Sequence, residues 1–581
     1  MLTTTQPAAI IIAELLARYG VRNVVASPGT RNAPLIVAFS RQSEFKMHSV
    51  VDERVAGFVA LGMALRTSMP VALICTSGSA LLNYAPAMAE AFYKGVPLIV
   101  ISADRPYRWI DQDDGQTIRQ RDVLSNVTRA SFDITSDINS EDFPTYVNRI
   151  VNQALSMADG PKKGPVHINV QFDAPLGELS DMTDDLEKSL NIRLIKNIYP
   201  PKKLPHNEAL ELIKPIADKK IVIVVGTQTP DAKLNKALKI LSGNPNVAVF
   251  CEAQSNVKGV SDAVTSPDIA VASLTDSERK EFAPDFVISV GGSVVSQNLK
   301  SWLRNSSALQ HWYIGTAVDK GFVDCYLHLA MNLEVEASSF LSQVAGVLRR
   351  YSKLDIGYKA FWKQKSENLK KKIQSYVTSA PWSDFVAIDT IINRLPANVN
   401  LHISNGMSIR YAQLCNYSRL HRIDCNRGVS GIDGSTSTAV GAAIDCPRPT
   451  VLITGDMSLD YDISVLRSDL VPMNFSVFVM NNGGGDIFRV IKNTRHLDEV
   501  ESRMAVSHNR DYKELSEAFG FNYFHVSETA ELKDLIKNDF FEITNRNKPV
   551  FVEIDTRNSQ NALVFRQFLQ QINHETKMFQ K

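Results

Sequence analysis

One stretch limits what this chain can become: residues 449–490, PTVLITGDMSLDYDISVLRSDLVPMNFSVFVMNNGGGDIFRV. A short apolar run, 451–454, stops at Gly455-Asp456. Leu459, Ile463, Leu466 and Leu470 then recur at helical spacing. A second apolar run, 475–480, stops at Asn481-Asn482-Gly483-Gly484. Together these predict a strand, a crossover helix through Leu470 and a second, parallel strand. Adjacent parallel strands end side by side, so Asp456 and Asn482 are expected close together, in the crevice where open α/β sheets bind ligands.

The residue types there suit a hard cation. Asp456 offers a carboxylate, Asn482 offers an amide oxygen, and the glycines let a backbone carbonyl and a diphosphate come close. Gly455-Asp456-Met457-Ser458 also presents backbone N–H groups to an anion at the start of the helix.

Composition narrows the rest. Across 581 residues, 63 Lys and Arg stand against 62 Asp and Glu, a formal charge of +1, so no global field argues for nucleic acid or a membrane surface. The six cysteines are scattered without a CxxC pair, the usage of reduced thiols rather than of disulfides or zinc. The amino terminus, MLTTTQPAAIIIAELLARYG, lacks a basic leader, and Glu14 interrupts its apolar run. No stretch reaches the ~18 apolar residues of a membrane span. The expectation is a cytoplasmic protein with no membrane span and no nucleic-acid partner.

Apolar strand patterns alternate with helical ones throughout, which predicts an α/β chain with three doubly wound parallel-sheet domains. Their expected bounds are 1–180, 206–350 and 381–581, joined by a Pro-rich linker (181–205) and a basic helical linker (351–380). Helices are expected at 7–19, 80–92 and 335–350, with a short amphipathic tail at 563–579. The first and third domains are candidates for structural repeats, although no sequence repeat links them.

A series of motifs follows in order: SPGTRNAPL (27–35), DERVAGFVALGMA (52–64), TSGSALLNYAPAMAEA (76–91), ISADRP (101–106), GQTIRQ (115–120), SNGMSIR (404–410), NRGVSGIDGSTSTAVGAA (426–443) and GDMS…MNNGGGDIF (455–488). This series resembles the thiamine-diphosphate-dependent enzymes, and within them the branch that serves menaquinone biosynthesis. The resemblance covers the first and third domains and is weak in the middle one.

The resemblance implies a cofactor, thiamine diphosphate, with Mg²⁺ or Mn²⁺. It implies decarboxylation of 2-oxoglutarate and 1,4-addition of the succinyl carbanion equivalent to isochorismate. Glu53 would hydrogen-bond N1′ of the aminopyrimidine and favour the tautomer that deprotonates C2. Gly455, Asp456, Met457, Ser458 and Asn482 would hold the diphosphate, with Asp456, Asn482 and the Gly484 carbonyl on the cation. Ser430 and Ile487 would line the cofactor, and Ile432 would wedge beneath it. Both substrates are dicarboxylates, so Arg31, Arg105, Arg410 and Arg427 are the expected anchors, because arginine pairs with carboxylate through two parallel hydrogen bonds. Thr30, Ser404, Asn405 and Gln116 would add polar contacts, Gln116 in a catalytic role, and Phe488 and Ile491 an apolar wall.

The branch often carries a Lys-Arg pair in its middle domain; here 291–300 reads GGSVVSQNLK, so if that pair serves isochorismate, Lys300 or a residue elsewhere must replace it. The resemblance also implies self-association, as a homodimer or homotetramer in which Glu53 of one chain meets the diphosphate site of another. Two rivals fit part of the pattern: another thiamine enzyme of the acetolactate-synthase type, and a non-catalytic cofactor-binding regulator. A dinucleotide-binding dehydrogenase does not fit, since no G-x-G-x-x-G follows a first strand.

Overall fold

The computed structural model describes residues 2–578 apart from 201, 308, 316–320, 545 and 558. Residue 201 of the expected linker and residue 579 of the expected tail therefore lie outside the described residues. Two compact units result, one from Met1–Tyr199, Gly428–Cys446 and Tyr461–Pro472, the other from Pro200–Arg427, Pro447–Asp460 and Met473–Lys581.

The first unit is built on a six-stranded parallel sheet of β1 (Asn23–Ala26), β2 (Lys46–Ser49), β3 (Val71–Cys75), β4 (Leu98–Asp104), β5 (Ser131–Ile134) and β6 (Val166–Gln171), in the order β2-β1-β3-β4-β6-β5. Every residue of β3, β4 and β6 is buried, as in strands covered on both faces, although β6 alternates its apolar residues with buried His167, Asn169 and Gln171. Three helices matter to the site: α1 (Glu53–Thr67), α2 (Ala85–Lys94) and α3 (Ser435–Ala443). The Asp52 side chain caps α1 by accepting the Val55 N–H at 3.2 Å. α1 and α3 touch backbone to backbone: a Cβ on Gly62 would stand 2.0 Å from the Thr438 carbonyl oxygen, and one on Gly441 2.0 Å from that of Val59. The single helix expected at 80–92 is divided into Ser79–Asn83 and α2, with Pro86 in the first turn of α2, where its missing N–H costs nothing.

The second unit holds two parallel sheets. Five strands, β7 (Ile221–Val225), β8 (Val247–Cys251), β9 (Phe286–Val290), β10 (Gln310–Ile314) and β11 (Leu329–Leu333), lie in the order β8-β7-β9-β10-β11. Six more, β12 (Asn400–Ile403), β13 (Arg422–Asp424), β14 (Thr450–Gly455), β15 (Phe475–Asn481), β16 (Asn522–Val526) and β17 (Val550–Asp555), lie in the order β13-β12-β14-β15-β17-β16. Counted from its own first strand, this is the order of the sheet in the first unit, so the two sheets repeat one topology. Between the two sheets in sequence, the basic stretch forms a helix, Tyr358–Ser379, that buries Tyr358, Trp362, Leu369, Ile373 and Val377 and exposes Lys363, Lys370 and Lys371.

The crossover after β14 differs from the expectation. α4 (Asp456–Tyr461) is followed by a 3-10 turn, Ile463–Arg467, and no helix reaches Leu470. The break falls at Asp462, whose carboxylate turns away to accept the N–H and hydroxyl of Ser437, both at 2.7 Å, and to pair with Arg54 at 3.1 Å. Among the described residues no helix is long and apolar enough to cross a membrane.

Candidate active site

In the second unit, β14 and β15 pair in parallel with Gly455 opposite Met480, which brings the two expected strand ends together. Asp456 is 1 % exposed. Its Oδ2 accepts the N–H groups of Gly483 and Gly484, each at 2.9 Å, and its Oδ1 that of Met457 at 2.6 Å. Gly483 (φ 77) and Gly484 (φ 138) let the chain fold back over this carboxylate. The Gly484 carbonyl accepts the Asp486 N–H at 3.1 Å. Gly455 donates to Ser404 Oγ at 3.3 Å, and a Cβ on it would meet nothing within 4 Å. Ser458 is buried and Met457 half-buried.

Asn482 supplies the second half of the arrangement. Its Nδ2 donates to Asp384 Oδ2 at 2.7 Å, while its buried Oδ1 has no hydrogen-bond partner. Asp384, at the start of a helix (Asp384–Arg394), also accepts from Thr556 Oγ1 at 2.5 Å. Burial raises the Asp384 carboxyl to about 7, and the charges of Asp486 and Asp456 push the same way. Asp486 is itself raised by burial. His508 places Nε2 3.2 Å from Asp456 Oδ2. Three buried acids around an unsatisfied amide oxygen make a field that favours a cation. Among the described residues no cluster of three His, Cys, Asp or Glu side chains is arranged to hold a metal by itself. A cation held here would need amide, carbonyl and phosphate oxygens to complete its shell, which is how Mg²⁺ commonly binds. The residues present therefore fit a diphosphate-bound cation. Asp384 and His508 escaped the sequence reading: Ser383-Asp384 resembles an ordinary helix start, and His508 lies far from β14 in sequence.

A cavity of about 130 Å³ lies in the same unit, lined by Arg410 and Ile491 with Asp268, Met407, Asn298 and Phe565. Burial lowers the Arg410 pKa, Asp268 opposes this, and the Arg427 charge lowers it further. Arg427 donates to Asn405 Oδ1 at 3.0 Å, and the Nε atoms of both arginines are buried without a hydrogen-bond partner. Lys300 is lowered by burial and then by Arg427. Glu252, the buried acid among these cations, is spent elsewhere. It accepts from Gln254 Nε2 at 2.6 Å, Val295 N–H at 2.7 Å, and Ser296 N–H and hydroxyl at 2.8 and 2.6 Å. Its charge still acts on Arg410 and Lys300, but neither of its oxygens is left to pair with them. Ile487 and Phe488 are half-buried, Ile487 against the core.

In the first unit, Glu53 opens α1, half-buried, and its charge raises the pKa of the enclosed Cys75 and Tyr84 beyond what burial does. Arg31 and Arg105 come together: burial and then the Arg105 charge lower the Arg31 pKa. Arg31 donates to the Phe172 carbonyl at 2.9 Å. Arg105 donates to the Gly115 carbonyl at 3.0 and 2.8 Å and pairs with Asp114 at 2.9 Å. Thr30 and Gln116 are exposed, and Gln116 has φ 56. Gln120, four residues on, is the buried glutamine: it accepts the Gly78 N–H at 2.7 Å and donates to Asn169 at 2.8 Å. Ser430 has φ 66, and Ile432 is 40 % exposed.

Comparison with known proteins agrees with this geometry in both units. The model of the thiamine pyrophosphate enzyme N-terminal binding domain matches residues 7–126, and that of the C-terminal binding domain matches residues 406–554. The chain is thus a thiamine-diphosphate enzyme by class. Near full-length relatives narrow it further. A 2-succinyl-5-enolpyruvyl-6-hydroxy-3-cyclohexene-1-carboxylate synthase of Flavobacterium psychrophilum is 36% identical over 96% of this chain and 97% of its own. Enzymes of the same name from Cytophaga hutchinsonii (35%, covering 96% and 97%) and Porphyromonas gingivalis (33%, covering 97% and 97%) are similar to it as well. The chain belongs to the family of these synthases.

Proposed function

We propose that this protein makes 2-succinyl-5-enolpyruvyl-6-hydroxy-3-cyclohexene-1-carboxylate from 2-oxoglutarate and isochorismate, releasing CO₂, for menaquinone biosynthesis in the cytoplasm. One observation carries the reading: the buried Asp456 carboxylate stands at the end of the strand beside that of Asn482, whose amide oxygen has no partner. Thiamine diphosphate, when bound, supplies an acceptor for the electron pair left by CO₂ loss from a 2-oxo acid. Asp456, Asn482 and the Gly484 carbonyl would hold Mg²⁺ or Mn²⁺, with Gly455, Met457 and Ser458 on the diphosphate. Ser430, Ile432 and Ile487 would hold the rings. Glu53 would keep a proton at the pyrimidine N1′.

Arg410, Arg427 and Lys300 would bind carboxylates in the second unit, where no free carboxylate oxygen of Glu252 competes. Arg31 and Arg105 would do so in the first, Arg105 after leaving Asp114. Thr30, Gln116, Ser404 and Asn405 would orient the substrates, and Phe488 and Ile491 would exclude water from the reacting carbons. The three-domain division of the sequence reading is part of this proposal.

The test is turnover of purified protein with thiamine diphosphate, Mg²⁺ and 2-oxoglutarate, with isochorismate added or withheld, following CO₂ and isochorismate absorbance together. Coupled consumption supports the reading. Release of CO₂ from pyruvate but not from 2-oxoglutarate would favour an acetolactate-synthase-type activity instead. Self-association enters the same proposal. If Glu53 of one chain serves the Asp456 site of another, mixing inactive Glu53→Gln and Asp456→Ala proteins restores part of the activity, since one site of each mixed dimer is intact. Mixed protein that exchanges subunits but stays inactive would place both groups of a site on one chain.

A further inference from the structure

α2 of the first unit carries an acid that the proposed reaction does not use. Glu90 is 1 % exposed, and its two carboxylate oxygens accept the N–H groups of Gly428 and Val429, each at 2.8 Å. Burying a carboxylate is costly unless it is hydrogen-bonded, and bonds from backbone N–H groups to an ionised oxygen are the strong, short kind. The approach leaves no room for a side chain on the loop. A Cβ on Gly428 would stand 2.6 Å from the Glu90 carbonyl oxygen and 2.9 Å from its Oε2.

The loop that begins there runs through Ser430, held at φ 66, and Ile432, 40 % exposed. It closes on Gly434 (φ 70), where a Cβ would stand 2.2 Å from the Phe58 ring, and α3 follows at once. A non-glycine residue in the left-handed region costs on the order of 1 kcal/mol and persists only when its surroundings impose it. Here the loop is tied at one end to Glu90 and set at the other against Phe58. Between the two ties lie the two residues read as cofactor contacts.

We propose that Glu90 is a positioning residue: its carboxylate fixes loop 428–434 so that Ser430 and Ile432 meet thiamine diphosphate. This rests on the reading that the loop contacts the cofactor. Glutamine at position 90 would offer one acceptor oxygen and turn its NH₂ toward the second backbone N–H, donor against donor.

The experiment compares full-length wild type with Glu90→Gln, Gly428→Ala and Ile432→Ala. It reads hydrogen exchange of residues 426–434, the affinity for thiamine diphosphate with Mg²⁺, and the circular dichroism of the bound cofactor. Glu90→Gln is expected to raise exchange at 428 and 429, weaken the cofactor about tenfold and alter its dichroism, at a temperature where the variant is still fully folded. Gly428→Ala, which attacks the same tie from the other side, is expected to do likewise, and the double variant to be no worse than the poorer single one. If Glu90→Gln does not fold, Gly428→Ala carries the test alone. Unchanged exchange in the loop would overturn the tie. Raised exchange with cofactor binding intact, while Ile432→Ala weakens it, would overturn the positioning role and leave the cofactor reading standing. If Ile432→Ala also binds the cofactor as wild type does, the loop is not at the cofactor, and both fall.

Discussion

The sheets of β1–β6 and β12–β17 share one strand order, yet their strand ends carry different chemistry. In the first, the third strand ends at Cys75-Thr76 and the fourth at Asp104-Arg105. At the corresponding places the other ends at Gly455-Asp456 and Asn481-Asn482. Asp104 is bound by Asn169 and by the Arg105 N–H, so its charge is used inside the sheet. Asp456 holds the glycine turn, and its neighbour Asn482 keeps an amide oxygen without a partner. Topology fixes where a site can form, and a few residues at equivalent strand ends decide what it can bind.

The sharpest way to break this comparison is to exchange functions at equivalent positions. Asp456→Ala should lower turnover on the order of 10²–10³-fold and abolish Mg²⁺-dependent cofactor binding, measured by titration. Thr76→Ala, its counterpart, should leave that binding within a factor of a few. Equal effects would mean that the two sheet ends share the cation. Glu53→Gln comes next, with turnover lower by about 10²-fold while thiamine diphosphate still binds; undiminished turnover would remove Glu53 from the chemistry.

Gly62→Ala probes stability instead, because its Cβ would overlap the Thr438 carbonyl oxygen. A loss of about 1–3 kcal/mol in urea unfolding is expected, against little change for Gly346→Ala, where a Cβ would meet nothing within 4 Å. The last prediction concerns pH. Burial raises the folded-state Asp384 pKa from 3.8 to about 7, so between those values the folded protein holds a proton that the unfolded chain releases. The stability of the cation-free protein should therefore fall as pH rises across that window, and Asp384→Asn should flatten the slope. An unchanged slope would mean that Asp384 is not held protonated.

Much of the site could be read in advance because parallel strands carry strong signals. Runs such as 451–454 and 475–480 are buried on both faces, and their ends must converge, so Asp456 and Asn482 could be paired from spacing alone. The crossover was misread because Leu459, Ile463, Leu466 and Leu470 keep helical spacing, while the Asp462 carboxylate breaks the helix by binding Ser437 and Arg54. Glu90 lay in plain view within TSGSALLNYAPAMAEA, yet nothing local marks a glutamate whose partners are backbone N–H groups more than 300 residues away.

By itself, the sequence determined the α/β class, the strand ends that face one another, and the motifs that mark the family, since period, turn residues and strand-end chemistry are local properties. Only the tertiary structure decided that segments Gly428–Cys446 and Tyr461–Pro472 pack within the first unit, that Asp384 orients Asn482, and that the Glu252 oxygens bind Gln254, Val295 and Ser296. Those outcomes depend on close backbone approach and on which buried donors reach which acceptors, and such contacts join residues whose separation along the chain carries no signal.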